Sequence, residues 1–349
     1  MVIQHSKPNI KKDDLVGVLE NLVSDNIADG ETVKLFEKEF ASRYKMRFNH
    51  AVILGSGTDA LYFGLLAMGI GSGDEVILST YQPTAVYHAV RNTGALPVLC
   101  DIGADFNLDP DCVRESITGN TRAVIITHLF GQPADIGAFQ DLGVPLVEDC
   151  AQALGATYEG RQVGSFGKFA AFSFYASKMI TTGHGGLFFS RDPRLASSVR
   201  GMRSYRDAEG LAVAFNSCIT DFQAAMGLNQ LKRLDHFIEI RRKIAEIYNK
   251  RFLQTHHGVP QVFQGRDNVF YRYPVRIRGS LKEAISFLHK QNIEACQPVL
   301  EPLHRLLELP GERFPDAEKA WMCTLSIPIY PAMANKEVEF VARAASRII

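Results

Sequence analysis

No run of apolar residues in the 349-residue chain approaches the roughly 20 that cross a bilayer. Its first stretch, Met1 to Asp14, is polar and lacks the apolar core of a secretory signal. A membrane partner is therefore excluded and a cytoplasmic setting expected. The six cysteines (Cys100, Cys112, Cys150, Cys218, Cys296, Cys323) are scattered and include no CxxC pair. That argues against a disulfide framework and against a structural zinc site, so free thiols in a reducing compartment and no metal are expected. Charge of one sign is also lacking: Lys+Arg and Asp+Glu are each 38. Without a basic excess, nucleic acid is not an expected partner, although a local pocket for a phosphorylated small molecule stays open. Internal repeats and low-complexity linkers are absent.

What is there is an ordinary globular composition, 46% hydrophobic and 22% charged, on a chain longer than one compact core usually needs. In the first two-thirds, short apolar runs (51–54, 75–78, 97–100, 123–127, 145–147) alternate with helical patterns such as Asp59 to Met68. Continuous apolar strands separated by helices predict a largely parallel sheet covered on both faces. The runs 169–174 and 187–190 are richer in aromatics and read as neighbouring strands. From Asp221 to Phe252, Leu228, Leu231, Leu234, Ile238 and Ile244 recur near helical spacing and predict one or two long amphipathic helices. Beyond them a strand at 269–277, a helix at 281–291, a proline-interrupted segment at 326–330 and a last helix at 336–348 form a smaller α+β region. The expected division is a large domain over 1–245 and a small C-terminal domain over 246–349.

Three segments carry chemistry. Gly55-Ser56-Gly57-Thr58 follows a strand and opens a helix, where backbone N–H groups and the helix dipole favour an anion; a plain tight turn is the competing reading. In Val147-Glu148-Asp149-Cys150, an acidic pair ends an apolar strand, where open α/β sheets hold ligands. A carboxylate buried there needs a cationic partner, unless Asp149 merely caps the next helix. In Phe172-Ser173-Phe174-Tyr175-Ala176-Ser177-Lys178, a lysine leaves a strand just before the glycine-rich Gly183-His184-Gly185-Gly186. A desolvated amine at such a place forms imines, whereas an ordinary lysine is solvated surface. In order, an anion turn, a strand-end Asp, a Ser and a Lys five residues later are the contacts pyridoxal phosphate requires.

These segments, with HLFGQPADI (128–136), VEDCAQALGATYEGRQVGSFG (147–167), FSFYASKMITTGHGG (172–186) and TDFQAAMGLNQLKRLD (220–235), make the chain resemble the DegT/DnrJ/EryC1/StrS family of sugar aminotransferases from about Pro8 to the C-terminus. The resemblance implies a fold type I, aspartate-aminotransferase-like α/β architecture: a large α/β/α domain with a mostly parallel sheet and a smaller C-terminal α+β domain. It implies pyridoxal 5'-phosphate held by Lys178 as a Schiff base, with Lys178 also the proton shuttle. Asp149 would hold the ring nitrogen protonated and Gln152 would approach the ring. Ser173, Gly57 and Thr58 would bind the phosphate, and Asn216 would reach the cofactor of a second subunit in a homodimer with shared sites. Tyr81, His184 and His304 are expected substrate contacts; for His184 the alternative is a turn residue.

The chain also departs from the family's pattern. Pro83 stands where an aromatic residue usually stacks on the cofactor ring, with Tyr81 two residues earlier. Cys218 stands where an arginine usually follows Asn216, which puts the site for the donor's carboxylate or the substrate's anion in question. The segment 293–298 lacks the usual tyrosines. The expected reaction is transfer of an amino group from glutamate to a keto sugar, most often nucleotide-linked, in cell-surface polysaccharide or antibiotic sugar biosynthesis. A cyclitol or other keto acceptor, or a non-catalytic cofactor-binding regulator, are the alternatives.

Overall fold

The computed structural model describes residues 2–348 apart from 24–26, 207–209 and 211. Its strands are β1 (Ala51–Leu54), β2 (Glu75–Ser79), β3 (Leu96–Cys100), β4 (Thr121–Thr127), β5 (Leu146–Asp149), β6 (Thr157–Tyr158), β7 (Arg161–Gln162), β8 (Phe169–Ser173), β9 (Gly186–Phe189), β10 (Arg266–Asp267), β11 (Tyr273–Arg276) and β12 (Thr324–Ile327). Seven of them form the central sheet in the order β1-β9-β8-β5-β4-β2-β3. The pairs β2/β3, β2/β4, β4/β5 and β5/β8 are parallel, and β9 runs antiparallel between β1 and β8. The mostly parallel sheet predicted from continuous apolar runs is present, with β8 and β9 adjacent as their aromatic content suggested.

Both faces of the sheet are covered. On one side, Phe36 and Phe40 of a helix at Glu31–Arg43 pack with Ile53, Phe172, Phe174 and Phe189 and with Leu228, Leu231 and Leu234. On the other, Leu61, Phe63 and Leu65 of the helix Gly57–Ala67 pack with Val52, Val76, Val147 and Phe188. That helix lies tight on β8: a Cβ at Gly64 would sit 2.4 Å from the Phe169 ring. The apolar pattern over 221–252 resolves into two helices, Asp221–Lys232 and Leu234–Phe252, with the break at Arg233. The first begins with a reciprocal cap, Thr220 with Gln223.

The second helix passes from one core to another. Its Phe237 and Ile238 belong to the sheet's core, while Ile244, Ala245, Tyr248 and Phe252 join the C-terminal cluster around Tyr273, Leu288, Leu325 and Val341. The N-terminus crosses over as well: Ile3 bridges to Ile293 and packs in that C-terminal cluster. The strand expected at 269–277 starts only at Tyr273, because Phe270 takes φ 49° with its N–H bonded to the Asn268 side chain at 2.6 Å. Among the described residues, no helix is long and apolar enough to cross a membrane.

Candidate active site

A cavity of about 290 Å³ opens at the C-terminal ends of β1, β5 and β8 and the start of β9. It is lined by Gly57, Thr58, Asp149, Gln152, Ser173 and Lys178, and also by Ser56, Leu61, Pro83, Ala85, Val86, Ala151, Tyr175, His184 and Gly185. Six positions expected to contact the cofactor are thus brought together from three separate segments.

Each wall has a local cause. Ser56 caps the helix Gly57–Ala67 by accepting the Asp59 N–H at 3.0 Å. Gly57 and Thr58 are then its first turn, where backbone N–H groups lack intrahelical partners and an anion is favoured. The turn fits only because its neighbours are small. A Cβ on Gly57 would meet Ser173 Cβ at 3.0 Å, and one on Gly186 would meet the Ser56 and Gly57 backbone at 2.2 to 2.3 Å. Gly186 pairs with both Leu54 and Ser173, so β9 carries the floor of the anion turn.

Asp149, at the end of β5, is 4% exposed. One carboxylate oxygen accepts the Ala151 N–H at 3.0 Å and the other accepts the Thr127 hydroxyl at 3.3 Å. Burial pushes its carboxyl above the usual range, opposed by the Ala151 N–H and the Lys178 ammonium. No cation lies within salt-bridge distance of it among the described residues. A buried carboxylate without an ion pair, facing a cavity with an anion turn at its other side, fits a planar cofactor bearing a protonated ring nitrogen and a phosphate. Gln152 is held beside it, its Oε1 accepting the Phe130 N–H at 2.8 Å. Behind Asp149, Thr127 also approaches Gln82 Oε1 at 2.7 Å, and Gln82 Nε2 is buried with no partner.

Lys178 follows a turn in which its N–H donates to Tyr175 O at 2.9 Å. Its ammonium lies 5.3 Å from the ring of Tyr271, whose hydroxyl is 3.4 Å from Ser177 Oγ. Burial raises the Tyr271 phenol, but Lys178 and Arg272 outweigh it and leave it below the ordinary tyrosine range. Tyr271 was not singled out in the sequence; only its place in an aromatic run before β11 marks it. His184 lines the cavity with its ring edge-on to Tyr175 at 5.2 Å.

Three expected site residues are not brought to this cavity. Tyr81 is 1% exposed in a separate cluster with Phe106, Phe130 and Phe314. Pro83, capping the next helix at Thr84–Asn92, takes the cavity wall instead, so the loop is not displaced in the way a stacking Tyr81 would need. His304 is fully buried with both ring nitrogens engaged, Nδ1 with Thr80 Oγ1 at 2.8 Å and Nε2 with Glu318 at 2.6 Å, and it stacks on Phe314. With both ring nitrogens engaged, it ties the C-terminal segment to the end of β2 and does not line this cavity. Asn216 bridges to Ser204, away from the cavity of its own chain. The next residue, Ser217, binds the Gly55 N–H and Asp59 behind the anion turn.

A trio that could pass for a metal centre, His128, Glu148 and Cys150, has its ligand atoms within 4.8 Å of one another. The Ala134 N–H donates to His128 Nδ1 at 3.0 Å, so the proton is on Nε2, which donates to Glu148 at 3.2 Å. Glu148 further accepts from the Gly164, Phe166 and Gly167 N–H groups. Its oxygens thus organise the loop before β8.

Residues 8–346 match the DegT/DnrJ/EryC1/StrS aminotransferase family. The chain is 33% identical to the spore coat polysaccharide biosynthesis protein SpsC of Bacillus subtilis, covering 99% of this chain and 97% of SpsC. It is 33% identical to GDP-perosamine synthase of Caulobacter vibrioides, covering 92% and 91% respectively. Among solved structures, Spr1654 from Streptococcus pneumoniae in its PLP form superposes with a TM-score of 0.92 at 25% identity, covering 100% of both chains.

Proposed function

The chain belongs to the DegT/DnrJ/EryC1/StrS aminotransferase family, and from that premise we propose that it moves an amino group from glutamate to the keto carbon of a nucleotide-linked sugar. It is a pyridoxal-phosphate-dependent aminotransferase of fold type I. The observation that carries the reading of the site is the meeting of Lys178, the buried Asp149 and the Gly57–Thr58 helix turn around one cavity. When bound, pyridoxal phosphate supplies an electron sink that makes the carbon bearing the amino group acidic.

In this reading Asp149 keeps the ring nitrogen protonated, and its burial strengthens that pairing. The Gly57 and Thr58 N–H groups and the Ser173 hydroxyl bind the phosphate. Gln152, fixed by Phe130, sets the ring's edge. The Lys178 amine would hold the cofactor and, as a free amine, would take up and return the proton at its Nζ. Leu61, Pro83, Ala85 and Val86 give the cavity an apolar wall that limits water there.

Asn216 is assigned to a partner subunit's cofactor phosphate. A homodimer is supported by the exposed Leu15, Leu19 and Leu22 of the helix Lys12–Leu22 and by the exposed Tyr205 and Val213 beside Asn216. A division into residues 1–245 and 246–349 rests on the change of core along the helix Leu234–Phe252, with Ile3 joining the smaller part. The setting is cytoplasmic, and the likeness to SpsC supports a role in making a cell-surface sugar.

An absorbance spectrum tests the reading. The purified protein reconstituted with pyridoxal phosphate is expected to show the visible band of a lysine-bound cofactor, and glutamate is expected to bleach it to the amine form. Absence of that band, or its persistence in Lys178→Ala, removes the assignment of Lys178. Trials with nucleotide-linked keto sugars against a keto cyclitol then decide the acceptor.

A further inference from the structure

An amino donor bearing a carboxylate needs a cation near the reacting lysine, and the usual arginine after Asn216 is Cys218 here. Cys218 is no substitute: its thiol stands 3.6 Å from the Asp29 carboxylate. Resting on the aminotransferase reading above, we propose that Arg272, a residue no motif singles out, is the guanidinium that binds the donor's carboxylate.

Its backbone is tied to a residue that holds the cavity wall. The Arg272 N–H donates to Phe130 O at 3.2 Å, and the Phe130 N–H in turn holds Gln152. Gly131 makes that contact close: its φ is 91°, and a Cβ there would meet the Tyr271 nitrogen at 2.8 Å. Tyr271 and Arg272 therefore ride on the same turn that positions a cavity residue. The Arg272 guanidinium lies 5.4 Å from the Tyr271 ring, and the Lys178 ammonium lies 5.3 Å from the same ring.

The guanidinium is oriented without being neutralised. Its Nη1 donates to His5 Nδ1 at 2.8 Å and lies 3.1 Å from Nε2, which pairs with Ser326 Oγ at 2.8 Å. That arrangement suits a neutral imidazole with its proton on Nε2. Burial and then the Arg272 charge hold His5 down to about 3, so it brings no positive charge of its own at neutral pH. Glu294, the carboxylate beside this cluster, accepts the His5 backbone N–H at 3.1 Å and makes no ion pair with Arg272. Among the described residues, Arg272 Nε and Nη2 have no hydrogen-bond partner, and neither is buried, which leaves a fork suited to a carboxylate.

Neighbouring arginines are committed elsewhere. Arg241 donates to the carbonyls of Phe270, Tyr271 and Ile329. Arg266 pairs with Asp105 and Asp135. Arg272 also stands beside Cys296, in the second segment that departs from the family's pattern. This half-buried cation thus stands beside the second departure and shares the Tyr271 ring with Lys178.

The test compares wild type with Arg272→Gln and Arg272→Lys in two titrations. Calorimetry follows glutarate, which has the carboxylates and no amine, binding to the cofactor-loaded protein. Absorbance follows glutamate reacting with the cofactor-loaded protein. Loss of a charge-assisted pair is expected to weaken both in Arg272→Gln by about 10- to 100-fold, with Arg272→Lys between it and wild type. Arg272→Gln within twofold of wild type in both titrations overturns the proposal, as does a wild type that binds no glutarate. Should Arg272→Gln fail to fold, Arg272→Lys carries the comparison: its charge without the fork must still weaken glutarate measurably. A wild type that binds glutarate yet reacts with no amino donor would instead count against the reading of Lys178, leaving Arg272 judged by calorimetry alone.

Discussion

Replacing Glu148 by glutamine keeps the side chain's shape and removes its charge at a fully buried position. One carboxylate oxygen accepts the Phe166 and Gly167 N–H groups at 2.8 and 2.7 Å. The other accepts the Gly164 N–H at 2.6 Å and His128 Nε2 at 3.2 Å. Whichever way the amide is turned, its NH2 faces two donors that then lose their acceptor. At about 1–3 kcal/mol for each of the two stranded donors, the loss is roughly 2–6 kcal/mol, and for a chain this long the melting temperature falls by on the order of 3–8 °C. The loss should depend on pH with a definite sign. Burial pushes the Glu148 carboxyl up, but His128 and the Gly167 and Gly164 N–H groups outweigh it and hold it below its ordinary value. A depressed carboxyl stabilises the fold above its unfolded pKa of about 4.3, and that contribution is lost as pH falls through the folded pKa. The gap between wild type and Glu148→Gln should therefore be flat above roughly pH 5 and close in acid. Denaturant melts of both proteins from pH 3 to 8 measure it. A difference under about 0.5 kcal/mol at pH 7, the ordinary scatter of surface substitutions, would refute the hydrogen-bond accounting.

Asp149→Asn should stabilise the cofactor-free protein while abolishing the glutamate half-reaction. The raised Asp149 carboxyl costs stability once pH passes the unfolded value of about 3.9, and an amide can still accept from Ala151 and donate to Thr127, so calorimetry should show the gain growing with pH; a variant less stable than wild type at pH 7 would contradict this. Gly186→Ala forces a Cβ to within 2.2 Å of the Ser56 backbone, so it should lower the melting temperature and weaken pyridoxal-phosphate retention together; unchanged retention in dialysis would show that the anion turn tolerates movement. His304→Ala should cost about 2–5 kcal/mol of stability, by cavity formation and loss of the Thr80 bond, and leave KM for both substrates near wild type. A large KM change would return His304 to the substrate site.

The sheet was legible because its strands are continuous apolar runs buried on both faces: β1 and β5 have no exposed residue. The residues that line the cavity were legible because each sits at a helix start, at a strand end or in the turn just after one, where the chain must expose backbone donors or a side chain. What sequence could not resolve was which polar residues near those segments point inward. Tyr81 is only one residue from Gln82, which faces Thr127, yet it turns into the cluster with Phe106 and Phe130. His304 sits in a motif and is consumed by Thr80 and Glu318. The pairing of His5 with Arg272 joins residues 267 apart, a separation at which no local pattern carries information.

A physical criterion separates these cases. Buried polar groups that hold structure are saturated: His128 and His304 use both ring nitrogens, and Glu148 receives four donors. The groups proposed to take a ligand are held in place yet short of partners. Asp149 is a buried carboxylate with two hydrogen bonds and no ion pair, and Arg272 is braced through Nη1 with the rest of its fork free among the described residues. The same residue types occur in both sets, so the type of residue does not decide the role. The desolvation cost of an incompletely paired charge does, since a fold retains such a charge only where something outside the chain completes it. By that measure the cavity lined by Asp149, Lys178 and the Gly57 turn holds a charge left incompletely paired, and Arg272, which shares the Tyr271 ring with Lys178, carries another. A cationic ring, a phosphate and a carboxylate would complete them.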